Sequence, residues 1–175
     1  MSFLKLLRFV NVLVEGLATN PIMGNMLSFL LSIIQFIFQD ISEQDLDLLL
    51  EDVLKLWNQL CHLPVISYNE RIHALFEVLP LHFSKNMECF PSVMGLIDIY
   101  IDVGGVTFLQ TYQQALATMY STFIQIIPTK NLRRLATSMH MLLLLHSDIG
   151  VEVVASSVQY LLTELSSGVS QQGER

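Results

Sequence analysis

The chain has 175 residues, and because 52% of them are hydrophobic it can form a packed core and is not an intrinsically disordered protein. Its formal net charge is −7, from 9 basic and 16 acidic residues, which argues against binding to nucleic-acid phosphates. The two cysteines, Cys61 and Cys89, lie far apart in the sequence and predict buried thiols in a reducing compartment rather than a disulfide.

The first forty residues contain two predicted helices. Asn20 and Pro21 separate them, because asparagine is a common N-cap and proline is favoured at the first position of a helix. The second helix extends to about Phe38 and is apolar on nearly all sides, which predicts burial on several sides. The first runs from about Ser2 to Ala18, with an apolar stripe of Phe3, Leu6, Leu7, Val10, Leu13, Val14 and Leu17.

The stretch from Leu46 to Leu63 has the clearest amphipathic pattern in the first half of the chain. Ser42 precedes Asp45 by three residues, which predicts that the serine hydroxyl caps the start of this third helix. Trp57 lies on the apolar face, so we expect it in the core. Pro64 should end the helix.

A second capping signal, S-x-x-E, is formed by Ser67 and Glu70 and predicts the start of a fourth helix. This helix is expected over residues 68–83. Pro80 should kink or shorten it, because proline lacks the amide hydrogen of a regular helical turn.

A fifth helix is expected from Met87 to Val103 and should end at Gly104 and Gly105, since glycine is the usual residue after a helix. Residues 148–150 read as a turn, and the polar segment 167–175 is expected to be a disordered tail. Three further helices are predicted at about Val106–Ile127, Lys130–His146 and Val151–Ser166.

No alternating strand pattern persists, so the predicted fold class is all-α. About eight helices give roughly 44 residues per helix pair, within the ~40–47 residue period of HEAT-type repeats. We therefore expect a HEAT/armadillo-type α-α superhelix, a solenoid of about four helix pairs, over residues 1–166. A compact helical bundle fits the same pattern.

The sequence lacks the residue spacings that enzymes and metal sites use. It has no H-E-x-x-H, no C-x-x-C, no phosphate loop and no G-x-S-x-G motif. Asp98 and Asp102 share a helix face, but no nucleophile or histidine accompanies them, so we interpret them as a solvated pair. We predict no catalytic residue, no cofactor and no metal ligand.

The surface therefore offers the best candidate site. Arg133 and Arg134 could contact an acidic protein partner. An uncharged row on the sixth predicted helix could contact another protein, although a solvated face without a partner fits the same pattern. We call this the polar row, and it consists of Gln110, Gln114, Thr118, Ser121 and Gln125.

A membrane protein is the main alternative from another class. Residues 16–39 contain no charged side chain, and the mean hydropathy of the chain is +0.51. A small helical membrane protein could be anchored through Met26–Phe38, although this run is short for a bilayer span.

The third predicted helix contains the run LLLEDVL at residues 48–54, followed by Leu56, Trp57 and Pro64. This stretch resembles a segment from the C-terminal half of nuclear transport receptors of the importin-β (karyopherin) superfamily, with the importin-eleven-like group nearest. The resemblance covers roughly residues 45–125 and continues through Leu75-Phe76, Leu79-Pro80, Glu88, residues 97–100 and residues 108–112.

This resemblance implies a HEAT solenoid, without catalysis or cofactor, that binds protein cargo, the GTP-bound form of the small GTPase Ran and nuclear pore proteins. It implies a location in the nucleus, the cytoplasm and the nuclear envelope. The family's N-terminal Ran-binding domain has no counterpart in this sequence, so the resemblance implies a C-terminal fragment of a receptor. A generic HEAT scaffold unrelated to transport is the remaining alternative.

Overall fold

The computed structural model describes residues 2–63, 70–84 and 86–172, and every regular element within these ranges is helical. The predicted all-α class is therefore confirmed. The capping box that begins at Ser67 and the stop at Pro64 lie outside the described residues. The chain divides into two compact units, Met1–Gly104 and Gly105–Arg175.

The helices alternate with short connections. The long helix α6 is interrupted at Gly105, so we call residues 90–104 its first arm and residues 106–126 its second arm. Two short 3₁₀ helices, Phe76–Val78 and Met87–Cys89, lie before it. The helices are α1 (Phe3–Leu17), α2 (Ile22–Asp40), α3 (Glu43–Cys61), α4 (Glu70–Leu75), α5 (Leu79–His82), α6 (Phe90–Ile126), α7 (Thr129–Leu145) and α8 (Ser147–Gln172).

The interruption of α6 confirms the predicted break between the fifth and sixth helices. Gly105 has φ 55° and ψ −148°, a combination that side chains larger than glycine's hydrogen rarely allow. The break coincides with the boundary between the two units.

Two further local signals act as the sequence predicts. The Ser42 hydroxyl accepts a hydrogen bond from the Asp45 amide at 3.3 Å, which caps α3. The region expected to be one helix over residues 68–83 is divided into α4, a 3₁₀ turn and α5, with Pro80 in the first turn of α5. Proline is tolerated there because a first-turn amide needs no helical acceptor.

Trp57 is the centre of the core of the first unit, as predicted, and it is fully buried. Its indole Nε1 donates a hydrogen bond to the Tyr100 hydroxyl at 3.2 Å, and that hydroxyl donates to the Ile72 carbonyl at 2.6 Å. The edge of the indole also contacts the Phe38 ring at a centroid distance of 5.8 Å. These contacts join α2, α3, α4 and the first arm of α6.

Helix α1 packs on α3 through a narrower face than the sequence predicts. Leu7 and Val14 are buried, and the buried Asn11 side chain donates to the Asp52 carbonyl at 2.9 Å. The Arg8 guanidinium forms an ion pair with the Asp52 carboxylate at 3.0 Å. The other members of the predicted stripe are not buried, because α1 contacts its neighbours along one edge. Phe3, Leu6 and Leu13 are 39%, 41% and 37% exposed.

The core of the second unit joins the second arm of α6 to α7. The Tyr120 hydroxyl lies 2.9 Å from the Ser138 hydroxyl, and both residues are completely buried. Phe108, Phe123 and Leu142 fill the surrounding core without exposure to solvent. The buried hydroxyls of Tyr120 and Ser138 are thus hydrogen-bonded to each other, which avoids the free-energy cost of leaving a buried polar group unsatisfied.

Gly150 was expected in a turn, but α8 begins at Ser147 and already contains this residue. A Cβ atom at Gly150 would lie 3.0 Å from the carbonyl oxygen of Leu142, so the glycine allows α8 to approach α7 closely. Helix α8 also extends beyond the predicted end at Ser166 to Gln172. The division into a solenoid of residues 1–166 and a disordered tail stays a prediction.

We expect Tyr100→Phe to lower the free energy of unfolding by about 1–3 kcal/mol, because it removes the acceptor of the Trp57 indole and a donor to the Ile72 carbonyl. Urea unfolding followed by circular dichroism measures this change. Tyr160→Phe, at a half-buried tyrosine of α8, is the control and should change stability by less than about 0.5 kcal/mol. Equal effects of the two substitutions would contradict the assigned role.

We expect Gly150→Ala and Gly24→Ala to have opposite effects on stability. The new methyl group at residue 150 meets the backbone of α7, which should cost about 1–3 kcal/mol. A methyl group at residue 24, inside α2, meets no atom within 4 Å and should stabilise the chain by about 0.5–1 kcal/mol. Thermal unfolding of the two variants measures the difference, and a stabilised Gly150→Ala variant would contradict the close helix approach.

Candidate functional site: polar surfaces of the two units

The second arm of α6 carries the whole polar row. Gln110, Gln114, Thr118 and Gln125 are exposed, and their spacing of three or four residues puts them on one side of the helix. Ser121 differs from the others, because it is half-buried and its hydroxyl lies 3.2 Å from that of Ser157 on α8. Ser121 therefore contributes to helix packing within the second unit.

The threonine hydroxyls on this arm bond to the helix itself. Thr118 Oγ1 donates to the Gln114 carbonyl at 2.9 Å, and Thr122 Oγ1 donates to the Thr118 carbonyl at 2.8 Å. Their hydrogens are thus directed to the helix backbone rather than to solvent. The groups of the row best suited to a partner are the side-chain amides of the three glutamines, each of which can donate and accept.

The two predicted arginines lie on α7 and differ in exposure. Arg133 is exposed, while Arg134 is half-buried. Thr137 Oγ1 donates to the Arg133 carbonyl at 2.9 Å, one helical turn earlier on α7. Of the two guanidinium groups, that of Arg133 is therefore the more accessible to an acidic partner.

The first unit contains a groove that the sequence does not reveal. Its volume is about 580 Å³, and its walls are α1, α3 and the start of α6. Lys55, Asn58 and Gln59 belong to the side of α3 that the periodicity assigns to open solvent, but the structure places them in this groove. The signal is absent from the sequence because the walls come from three separated segments.

Most of the groove surface is apolar, and its polar groups are partly preorganised. Lys55 Nζ lies 4.0 Å from the Glu15 carboxylate, and Asn58 donates to the Ser92 carbonyl at 3.1 Å. The side-chain oxygen of Gln59 is buried without a hydrogen-bond partner in the described part of the chain. The groove thus combines fixed hydrogen-bonding groups with charges of both signs.

A smaller groove of about 250 Å³ lies between α2 and α4. Ser32, Gln35 and Gln39 of α2 face it, and the Arg71 guanidinium on α4 donates a hydrogen bond to the Ser28 hydroxyl. The lining of this groove combines four uncharged polar side chains with four apolar ones and with the charged side chains of Arg71 and Glu77.

The thiols are poorly suited to nucleophilic chemistry. Burial raises the pKa of the Cys61 thiol to about 12, although a hydrogen bond with Trp57 opposes the rise. Burial also raises the pKa of Cys89, and the nearby carboxylates of Glu51 and Glu88 raise it further. Within the described ranges, no group of three or more histidine, cysteine or acidic residues could hold a metal ion.

We expect the Cys61 thiol to react with iodoacetamide at least about a hundredfold more slowly than an unstructured thiol at pH 8, because only the thiolate attacks. The Cys89→Ser variant isolates Cys61, and the same variant in urea is the control. The sign of the pKa shift also predicts that the rate keeps rising above pH 9. A rate that levels off near pH 9 in the folded protein would contradict the raised pKa.

Among the residues that the structure describes, two helical segments are long and apolar enough to cross a membrane by length and composition: α2 (Ile22–Asp40) and Met87–Ile126, which joins a 3₁₀ helix to α6. Core helices of soluble proteins have the same length and composition. In α2, Leu30, Ile34 and Ile37 are 0–1% exposed and thus belong to the protein core.

Comparison with known proteins agrees with the helical repeat architecture. A family model described as importin-11-like TPR repeats matches residues 5–171. No curated protein and no solved structure matches the chain. The family description names TPR repeats where the sequence predicted HEAT/armadillo-type repeats, and both kinds are helix pairs that stack into a solenoid. The match spans nearly all of the chain, and the chain therefore belongs to the importin-11-like family of karyopherin repeat proteins.

Proposed function

We propose that the chain is a protein-binding scaffold in nucleocytoplasmic transport, present in the nucleus, in the cytoplasm and at the nuclear envelope. The observation that carries this proposal is the family match over residues 5–171. Stacked helical repeats present extended surfaces to other proteins, and such surfaces act by binding rather than by catalysis. The raised pKa values of both thiols agree with a role that needs no nucleophile.

The proposed partners are protein cargo, a Ran-type small GTPase and nuclear pore proteins. The polar row of α6, together with Arg133 and Arg134 on α7, is the proposed contact surface. The accessible amides of Gln110, Gln114 and Gln125 support this choice, because an amide can pair with backbone or side-chain groups of a partner. Arg133 is an exposed positive charge on a chain whose formal net charge is −7.

The decisive experiment measures binding of the purified chain to Ran loaded with a non-hydrolysable GTP analogue or with GDP. We propose that the contact surface on α6 and α7, rather than the family's N-terminal Ran-binding domain, distinguishes the two nucleotide states, so we expect binding to the GTP form at least about tenfold tighter. Equal binding to both forms, or to neither, would remove Ran from the proposed partners.

The contact surface is tested by substituting the three accessible glutamines. We expect Gln110→Ala, Gln114→Ala and Gln125→Ala together to weaken binding of the partner about tenfold or more, because three amide contacts are lost. Gln44→Ala, at an exposed glutamine of α3, is the control. Unchanged affinity of the triple variant would show that the row is a solvated face.

The packing of α2 weighs against the membrane alternative on one face of the helix only, because Phe29 and Phe36 on the opposite face are 65% and 49% exposed. Its buried residues Leu30, Leu31, Ile34, Ile37 and Phe38 contribute to the core of the first unit, so they are not available to face lipid. A generic repeat scaffold outside transport would show no preference between the nucleotide states of Ran, and the binding experiment above distinguishes it.

A further inference from the structure

The larger groove of the first unit, between α1, α3 and the start of α6, has no part in the proposed contact surface. Its volume of about 580 Å³ is within the range of ~300–1,000 Å³ that is usual for ligand pockets. Hydrogen bonds join the helices that form it. Asn58 of α3 donates to the Ser92 carbonyl of α6, and Asn11 of α1 donates to the Asp52 carbonyl of α3. The groove is therefore formed by helices that pack on one another.

Three side chains of α3 and its C-cap leave hydrogen-bond acceptors at this groove. Both amide hydrogens of Asn58 are engaged, with the Leu54 carbonyl at 3.0 Å and the Ser92 carbonyl at 3.1 Å, so only its oxygen can take a further partner. His62 Nδ1 donates to the Asn58 carbonyl at 2.8 Å, because a carbonyl only accepts, and this leaves Nε2 of the neutral ring as an acceptor. The Gln59 oxygen is buried and has no donor among the described residues. Its last side-chain torsion is broad, so this oxygen can turn towards a donor in the groove.

One carboxylate of the lining remains unpaired after the internal ion pairs are counted. The lining contains three carboxylates, and that of Asp52 pairs with Arg8 at 3.0 Å. The carboxylate of Glu15 lies 4.0 Å from Lys55 Nζ. Glu51 is exposed and has no ion-pair partner in the part of the chain that the structure describes.

The Glu51 carboxylate lies towards the α6 wall of the groove. Its negative charge raises the pKa of the Cys89 thiol, which directly precedes α6, and the carboxylate of Glu88 acts on the same thiol. Two carboxylates from separate segments are therefore close to the first turn of α6, where Pro91 and Ser92 line the groove.

We propose that this groove binds one arginine side chain from a segment of a partner protein, with the guanidinium at Glu51 and at the free acceptors of α3. A guanidinium carries five N–H groups in a planar fork and no acceptor, so it matches one carboxylate surrounded by neutral acceptors. It is more weakly hydrated than an ammonium, which lowers the cost of entering a groove whose surface is mostly apolar. Val14, Ala18 and Pro91 line the groove and can cover the methylene stem of the arginine.

Other occupants match this chemistry less well. A phosphate or a carboxylate would bring acceptors to acceptors and a negative charge to Glu51. A lysine ammonium is more strongly hydrated and presents its three donors from a single point. A run of basic residues would need more than the one carboxylate that the internal pairs leave unpaired in the lining. The inference does not rest on the proposed transport function, because the groove lies outside the polar row.

The test titrates the isotope-labelled chain with a capped five-residue peptide that has arginine at its centre and alanine elsewhere. The matched probe has citrulline at the centre, which keeps the shape of arginine but removes its charge. We expect the side-chain amide signals of Asn58 and Gln59 to shift in the NMR spectrum, and the arginine peptide to bind at least about tenfold tighter than the citrulline peptide. Equal binding of the two peptides, or no binding at millimolar concentrations, would overturn the proposal.

Substitutions in α3 test the assigned groups. Glu51→Gln should abolish the preference for arginine over citrulline, whereas Asp47→Asn, which removes an exposed carboxylate of the same helix outside the groove, should retain it. Gln59→Leu should weaken binding of both peptides about fivefold or more without lowering the thermal stability, because its oxygen has no partner to lose within the described residues. An equal loss of preference in the Asp47→Asn variant would show that only the net charge matters, and the proposal would fail.

Two further measurements identify the source of the arginine. N-acetyl-arginine methylamide should bind more weakly than the peptide, and equal affinity would mean that the groove takes a small guanidinium compound rather than a protein segment. The chain has an exposed arginine of its own, Arg133. Self-association in sedimentation velocity that Arg133→Gln abolishes would make a second copy the occupant and contradict a separate partner, whereas a monomeric chain that prefers the arginine peptide supports one.

Discussion

The hydrogen-bonded chain from Trp57 through Tyr100 to Ile72 is the constraint on which the packing of the first unit depends. A buried indole N–H group needs a hydrogen-bond acceptor, and for Trp57 the acceptor is the Tyr100 hydroxyl. The same hydroxyl donates a hydrogen bond to the Ile72 carbonyl. Helix α4 has only six residues, and a short helix leaves carbonyls that need donors from elsewhere. One hydroxyl therefore fixes both the orientation of Trp57 and the position of α4.

The sequence alone predicted the structure correctly at positions where one local signal determines it. Ser42 caps α3 through its neighbour three residues away, and Gly105 interrupts α6 through its own backbone angles. Trp57 lies on the apolar face of α3, and its burial follows from that periodicity. Each of these features depends on residues within a few positions of one another.

Features that depend on distant neighbours could not be predicted. The periodicity of α1 marks Leu13 as strongly as Val14, but only Val14 is buried, because periodicity does not show how many sides of a helix are covered by neighbours. Gly150 shows the same limit. Glycine is favoured both in turns and where two helices approach closely, and only the position of the Leu142 carbonyl distinguishes the two roles.

The candidate contact surfaces also combine features that the sequence predicts with features that it does not predict. Helical spacing correctly puts the members of the polar row on one arm of α6, but it does not show that Ser121 faces Ser157. The sequence did not predict the larger groove of the first unit. The periodicity of α3 puts Asn58 and Gln59 on its solvent-facing side, but in the structure α1 and Pro91 enclose them.

The distribution of polar and apolar surface suggests how a repeat scaffold separates two tasks. Exposed apolar side chains on α1 and α8 supply hydrophobic free energy, which is strong but not directional, and this suits the stacking of helices. If the proposed contact surface on α6 binds a partner, its uncharged amides would supply directional contacts that salt does not screen, and this would suit discrimination among partners. A partner that bound through charge would instead use Arg133, and its affinity would fall as the salt concentration rises. The chemistry of each face therefore determines the kind of contact it can make.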